Sequence, residues 1–131
     1  VEEELRSVAL LNQQQATAVL DLAGIQGSVE DVLSALMQQL QDVPVGNQGV
    51  QRLQVIASAL QAACLSQERF CIDVTIARGL DYYTGVVFET LLSDLPAIGS
   101  ICSGGRYDNL AGLYTKQHLP GIGASLGLDR L

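Results

Sequence analysis

Arginine, tyrosine and acid gather in two glycine-bounded stretches of this chain, Arg78-Gly79-Leu80-Asp81-Tyr82-Tyr83-Thr84-Gly85 and Gly104-Gly105-Arg106-Tyr107-Asp108. Three of the four tyrosines in the whole sequence, Tyr82, Tyr83 and Tyr107, fall inside them. A chain that used tyrosine only to fill a core would scatter it, so the clustering points to a ligand pocket. Arg78 is the leading candidate. Alternation through Ile72, Val74 and Ile76 sets it at the end of an apolar strand face. A guanidinium there needs an anion, and its fork matches a carboxylate or a phosphate in two-point contact. An internal ion pair with Asp81, Glu89 or Asp108 is the alternative. Tyr82 and Tyr83 offer flat apolar faces and a hydroxyl that donates or accepts, which suits a small polar ring. Adjacent residues in an extended segment point opposite ways, so one of the two is expected to line the pocket and the other to join the core.

Gly104 and Gly105 permit close backbone approach, and Gly121, Gly123 and Gly127 lighten a later segment in the same manner. The later set misses the spacing of a dinucleotide fingerprint, and no P-loop, metalloprotease motif or serine elbow occurs. For Arg106 and Asp108 a local salt bridge competes with a ligand role. His118, in the polar run Thr115-Lys116-Gln117-His118, reads as solvated. Cys64, Cys71 and Cys102 form no CxxC pair, so a zinc site or disulfide framework is not expected. Each is read instead as a small buried hydrophobe, and no metal ligand is assigned.

The elements that must position these residues change character midway. Ala16, Val19, Leu20 and Ala23 follow three-four spacing and predict a helix over 13–23. Ser28 with Asp31 three residues later reads as a cap for the stripe Val29, Val32, Leu33, Leu36, Met37 and Leu40. Pro44, Gly46 and Gly49 predict a loop over 42–49. Val50, Leu53, Ala57, Leu60 and Cys64 then share the face of a third helix ending near Ser66. From Cys71 the period becomes two. Strands are expected over 72–78 and 86–91, joined as a hairpin through a long functional loop. A third is expected over 99–103, a short helix over 108–113, a last strand over 122–126 and a helix from Gly127. Helices first and strands afterwards argue α+β with an antiparallel sheet, divided into a helical segment 1–67 and a sheet-bearing segment 68–131.

At 131 residues and 48% hydrophobic content the chain is one domain's worth with enough apolar material for a core. No apolar run is long enough for a membrane helix, and the acidic start Val1-Glu2-Glu3-Glu4 is unlike a secretory signal, so a cytoplasmic protein is expected. A net charge of −7 gives no electrostatic support for binding nucleic acid. The start without methionine and the apolar stop at Leu131 read as those of a piece of something longer.

RGLDYYTGVVFET, CSGGRYDNLAGLY and LPGIGASLGLDRL together resemble the catalytic core of the bacterial histidyl-tRNA synthetase family, a class II aminoacyl-tRNA synthetase. The first is similar to that family's histidine signature and the last to motif 3. The resemblance is specific from Asp73 to Leu131; the helical half is only loosely similar to the segment the family inserts ahead of its signature. It implies a partial antiparallel sheet of the class II core. Arg78 would contact the histidine carboxylate and the ATP α-phosphate, stabilising charge as adenylate forms. Tyr82 and Tyr83 would belong to the histidine pocket, with Tyr83 bonding the imidazole, and Gly104 and Gly105 would shape it. Arg130 would hold ATP, with Gly123, Ser125 and Gly127 letting the strand lie close to ligand. Asp129, where many relatives carry glutamate, keeps the charge.

The implied reaction joins histidine to ATP with loss of pyrophosphate, then passes the histidyl group to its tRNA. Magnesium would accompany ATP as substrate; no other cofactor is implied. Motif 1, motif 2 and the anticodon-binding domain find no counterpart here, so the piece is expected to be inactive alone and, with raw sheet edges, to form a homodimer. The rival reading is the histidine-binding regulatory subunit of ATP phosphoribosyltransferase, which can share these patterns.

Overall fold

The computed structural model describes residues 1–76 and 81–131. They form two compact units, Val1–Thr75 and Ile76–Leu131. The first contains helices α1 (Glu2–Ser7), α2 (Gln13–Ala23), α3 (Val29–Gln39) and α4 (Pro44–Ala62); the second contains strands β1 (Val87–Thr90), β2 (Cys102–Tyr107) and β3 (Gly121–Leu126). The α+β class expected from the order of patterns is the one observed.

In the helical unit α1 lies against α2 and α3 against α4. Two capping boxes start the middle helices. The Asn12 carboxamide accepts from the Gln15 amide and the Gln15 side chain accepts from the Asn12 amide; Ser28 and Asp31 make the same exchange ahead of α3. Val29, Val32, Leu33 and Leu36 of α3 are buried with Val50 and Ala57 of α4, and Leu22, Ile25, Leu40, Leu53 and Phe70 pack around them. The stripe predicted for α3 and the first part of that predicted for α4, Val50, Leu53 and Ala57, are therefore the core, whereas the stripe predicted over 13–23 lies outside this cluster, with Val19 exposed. Glu30 adds a polar tie, accepting from the Gln61 side chain at 3.4 Å and from that of Gln67 at 2.8 Å.

Several expectations are corrected. The segment read as a loop over 42–49 is already helical from Pro44, because proline at the first position has its φ preset and gives up an amide that would lack a partner there anyway. Gly46 fits inside this helix for a packing reason: the Leu40 side chain lies about 3.0–3.2 Å from where a β-carbon would stand. The same helix stops at Ala62 rather than near Ser66, and α1 had no forerunner in the periodicity. Cys64 and Cys71 are exposed and Cys102 is half-buried, so none is the buried hydrophobe expected; Cys64 lies past the helix end in a left-handed conformation, φ 61°.

No strand is assigned over Ile72–Ile76. The Asp73 carboxylate accepts from the Thr75 amide at 2.8 Å and from its hydroxyl at 2.6 Å, a local turn that competes with a ladder. The alternation survives as burial. Ile72 and Val74 are half-buried against the helical core while Asp73 and Thr75 face out. Ala77 and Arg78 lie outside the described residues, so the hairpin expected between 72–78 and 86–91 is not among the observed pairings.

The sheet runs β1-β2-β3, antiparallel throughout. Val87 pairs with Gly105 and Thr90 with Cys102; Cys102 pairs with Leu126 and Tyr107 with Gly121. The strand expected over 99–103 is displaced to 102–107, and the helices expected after Asp108 and Gly127 are single 3₁₀ turns, Leu110–Leu113 and Leu128–Arg130. The displacement has a cause. Gly99 adopts φ 77°, which closes the turn Pro96–Ile98 and leaves the chain free to enter the ladder only beyond it.

Candidate functional site: a tyrosine cluster on a glycine floor

Cross-strand partners share a face of the sheet, so the register sorts the motif residues into two sets. Val87, Glu89, Ser103, Gly105, Tyr107, Gly121, Gly123 and Ser125 belong to one face; Phe88, Gly104, Arg106, Ile122 and Ala124 belong to the other. The two glycines of the Gly104-Gly105 pair thus serve opposite surfaces. Gly105 lies on the first, under the Tyr83 ring, and a methyl there would come within 2.8 Å of that ring and 2.7 Å of the Val86 carbonyl. Gly104 lies on the second, under Phe88, whose ring tip would be 2.7 Å from an added methyl. Both glycines are buried.

The first face carries the aromatic cluster. Tyr82 and Tyr83 have ring centroids 4.7 Å apart, and Tyr82 meets Tyr107 edge-on at 6.0 Å and 85°, an arrangement favoured by the ring quadrupoles. Tyr107 in turn lies over Gly121 and Gly123: a methyl on the first would come within 2.5 Å of its ring and one on the second within 2.5 Å of its hydroxyl. The expectation that one of the adjacent tyrosines would join the core is not met. Asp81 and Tyr82 occupy a turn rather than an extended strand, Tyr83 is half-buried and Tyr82 is 38% exposed. Both rings stay at the surface, where a ligand could reach them.

Tyr107 was read in the sequence as part of a ligand-bearing stretch but was given no role. Its signal was the spacing Gly121-x-Gly123, two β-carbons omitted from one face of a strand to admit a ring. Sequence alone could not say whose ring.

Toward the other end of the sheet this face becomes polar, with Glu89, Ser103 and Ser125 in lateral register. Five residue steps separate Tyr107 from Cys102, about 17 Å of strand at the usual rise. At that far end the Gly127 amide donates to the Ile101 carbonyl at 2.8 Å, and Nη1 of Arg130 donates to the Ser100 carbonyl at 2.7 Å. That bond uses one of five guanidinium N–H donors, and the side chain is otherwise exposed. Arg78 lies outside the described residues. His118 is exposed, as expected.

Arg106 and Asp108 make the local salt bridge that was one of their two readings, Nε to Oδ1 at 2.8 Å. The Arg106 hydrogen bond is the main cause holding the Asp108 carboxyl below the usual carboxylate range, partly opposed by desolvation and helped by Thr84. Among the described residues no group of three or more His, Cys, Asp and Glu side chains could hold a metal ion. Nor, among them, is any helix long and apolar enough to cross a membrane.

The sheet thus carries a cluster of tyrosine rings at one end and an exposed arginine at the other. Comparison with known proteins assigns the class. The family model for histidyl-tRNA synthetase matches residues 2–131, and the chain belongs to that family. It is 57% identical over 128 residues to the histidine–tRNA ligase of Rhodopirellula baltica, covering 98% of this chain and 29% of that protein. It is 44% identical over 124 residues to the ligase of Nostoc sp. PCC 7120, covering 92% and 27%. The crystal structure of histidyl-tRNA synthetase from Nostoc sp. PCC 7120 superposes with a TM-score of 0.90 at 43% identity, covering 99% of this chain and 31% of that one. The chain therefore spans under a third of the length of these relatives.

Proposed function

We propose that this chain is the part of a cytoplasmic histidine–tRNA ligase that binds histidine and one end of ATP. The observation that carries this reading is the tyrosine cluster on its glycine floor, in a chain that matches the family from residue 2 to residue 131. A sheet face that presents aromatic rings and fixed hydrogen-bonding groups suits a reaction that needs no covalent nucleophile and whose rate comes from positioning and electrostatics. In this reading Tyr83, Tyr82 and Tyr107 enclose the imidazole, with the Tyr83 hydroxyl bonding a ring nitrogen and Gly105 seating the Tyr83 ring close against the strand. Gly104 supports the same strand from the opposite face.

Arg78 bridges the histidine carboxylate and the α-phosphate, where negative charge grows as the carboxylate oxygen attacks phosphorus and pyrophosphate leaves. Arg130 holds ATP with its remaining donors, Ser125 and Gly127 keep the strand close to the nucleotide, and Gly123 makes room for the Tyr107 ring. Magnesium arrives with ATP, and the histidyl group then passes to its tRNA. The helical segment 1–67 is proposed as an insertion and 68–131 as part of the catalytic core. The relatives named above are ligases, which does not favour the regulatory-subunit alternative. A homodimer is proposed from the edge strands β1 and β3; light scattering giving only the monomer mass would exclude it.

The test is histidine-dependent exchange of pyrophosphate into ATP by the complete polypeptide carrying this segment. Tyr83→Phe should raise KM for histidine about tenfold and leave KM for ATP unchanged, as loss of one ligand hydrogen bond requires. Arg130→Ala should do the reverse. The 131-residue chain alone should show no enzyme-level exchange. Absence of exchange in the complete polypeptide, or a Tyr83→Phe variant with unaltered histidine dependence, overturns the reading.

A further inference from the structure

Among the described residues, hydrogen bonds at Thr84 and Val86 join the turn that carries Tyr82 and Tyr83 to β2 and the residue after it. The two backbone groups of Arg106 straddle Gly85: its amide donates to the Val86 carbonyl at 2.8 Å, and its carbonyl accepts from the Thr84 amide at 2.9 Å. The regular ladder ends there. The next amide of β2's continuation, that of Asp108, donates to the Thr84 hydroxyl oxygen at 3.0 Å instead of to a main-chain carbonyl. The same hydroxyl donates back to Oδ2 of Asp108 at 3.1 Å, while Oδ1 accepts from Nε of Arg106 at 2.8 Å.

A side-chain hydroxyl here stands in for a ladder carbonyl. Its effect is to release the chain from strand geometry one residue after Tyr83 while still holding it against β2. With the main chain of Asp81–Tyr83 outside the ladder, the two rings need not point to opposite faces, and both gather beside Tyr107. Asp108 contributes most when ionised, because a carboxylate can accept from Arg106 and Thr84 together, one bond on each oxygen.

We propose that Thr84 and Asp108, with Arg106 fixing the Asp108 carboxylate, form a latch that positions the tyrosine pocket without touching the ligand. This rests on the histidine-pocket reading above and deepens it. Thr84 and Asp108 are positioning residues, and their loss should act on histidine and not on ATP, since Arg130 is tied separately to Ser100.

The test compares Thr84→Val, Thr84→Ser and Asp108→Asn in the complete ligase carrying this segment, with Tyr83→Phe as reference and far-UV circular dichroism confirming the fold. Thr84→Val keeps the shape and removes both hydroxyl bonds. It should raise KM for histidine about three- to tenfold, the size expected for hydrogen bonds to a charged group near the surface, with KM for ATP unchanged. Asp108→Asn should follow in the same direction, and Thr84→Ser should restore the parent value. In the 131-residue chain, which has no tryptophan, the near-UV band arises chiefly from tyrosine, and Thr84→Val should weaken it while Thr84→Ser should not. If Thr84→Val and Asp108→Asn leave histidine dependence intact while Tyr83→Phe impairs it, the latch is wrong and the pocket stands. Equal loss toward both substrates also overturns the latch, as a general loosening. If Tyr83→Phe is itself silent, the pocket reading fails and takes the latch with it.

Discussion

In Val1–Thr75 the buried side chains are aliphatic, and all but Ala16 form one cluster, Val29, Val32, Leu33, Leu36, Val50 and Ala57, across two helices. In the described part of Ile76–Leu131 the buried positions are Ile101, Gly104 and Gly105, and two of those three have no side chain. The helical unit is held by apolar area removed from water. The sheet unit is held by its backbone ladder, by rings laid over glycines and by charge-assisted bonds such as that of Asp108. A hydrophobic core tolerates small errors of placement, whereas a face that must recognise a polar ring needs its donors at fixed positions, and hydrogen bonds supply direction that apolar burial lacks.

The largest expected effect tests the helical side of this contrast. Leu36 is 4% exposed at the centre of the cluster, and Leu36→Ala should cost about 2–5 kcal/mol, the range for emptying a buried leucine site. Urea unfolding followed by far-UV circular dichroism reads the loss, and the tyrosine band should survive it, because all four tyrosines lie in the other unit. Simultaneous loss of both signals would break the comparison.

Gly105→Ala should act the other way round. The added methyl meets the Val86 carbonyl at 2.7 Å and the Tyr83 ring at 2.8 Å, and overpacking of this kind costs about 1–3 kcal/mol. The tyrosine band should collapse while the helical signal holds; an unchanged near-UV spectrum would mean that the ring does not rest on this glycine.

The smallest effect is that of acid. Asp73 in the helical unit is held below the usual carboxylate range by the Thr75 side chain first and its amide second, and Asp108 in the sheet unit by Arg106 first. For a depressed carboxyl the stabilisation is complete above its unfolded pKa and is lost as pH falls through the lower folded value. The tyrosine band should therefore persist through the normal carboxylate range and weaken only below it. In Asp108→Asn it should be weaker at neutral pH and show less of that acid step; a step of undiminished size would assign it to another group.

How far the chain was legible follows the same division. Ser28 and Asp31 announced α3, and its stripe named the core residue by residue, because caps and three-four spacing are local codes. Pro44 misled because the same residue that breaks a helix interior is favoured at its first position. Ile72–Ile76 misled in part: its alternating burial was correct, but an alternating segment can lie along a helical core without joining a sheet, and the Asp73–Thr75 turn takes up backbone and side-chain groups at the point where a ladder would run. The motif residues were visible as a cluster of types, yet only register could separate Gly104 from Gly105 or pair Gly121 and Gly123 with Tyr107.

By itself the sequence determined that α2, α3 and the body of α4 would be helical, that a sheet would follow them, and which residue types would crowd into the functional stretches, all of which depend on neighbours a few positions apart. Tertiary structure alone decided that Tyr82 and Tyr83 share a surface with Tyr107, that Arg130 is anchored to Ser100, and that Thr84 completes a ladder with its side chain. The physical reason is that these outcomes depend on strand register, a long-range alignment in which a shift of one residue exchanges the two faces of the sheet.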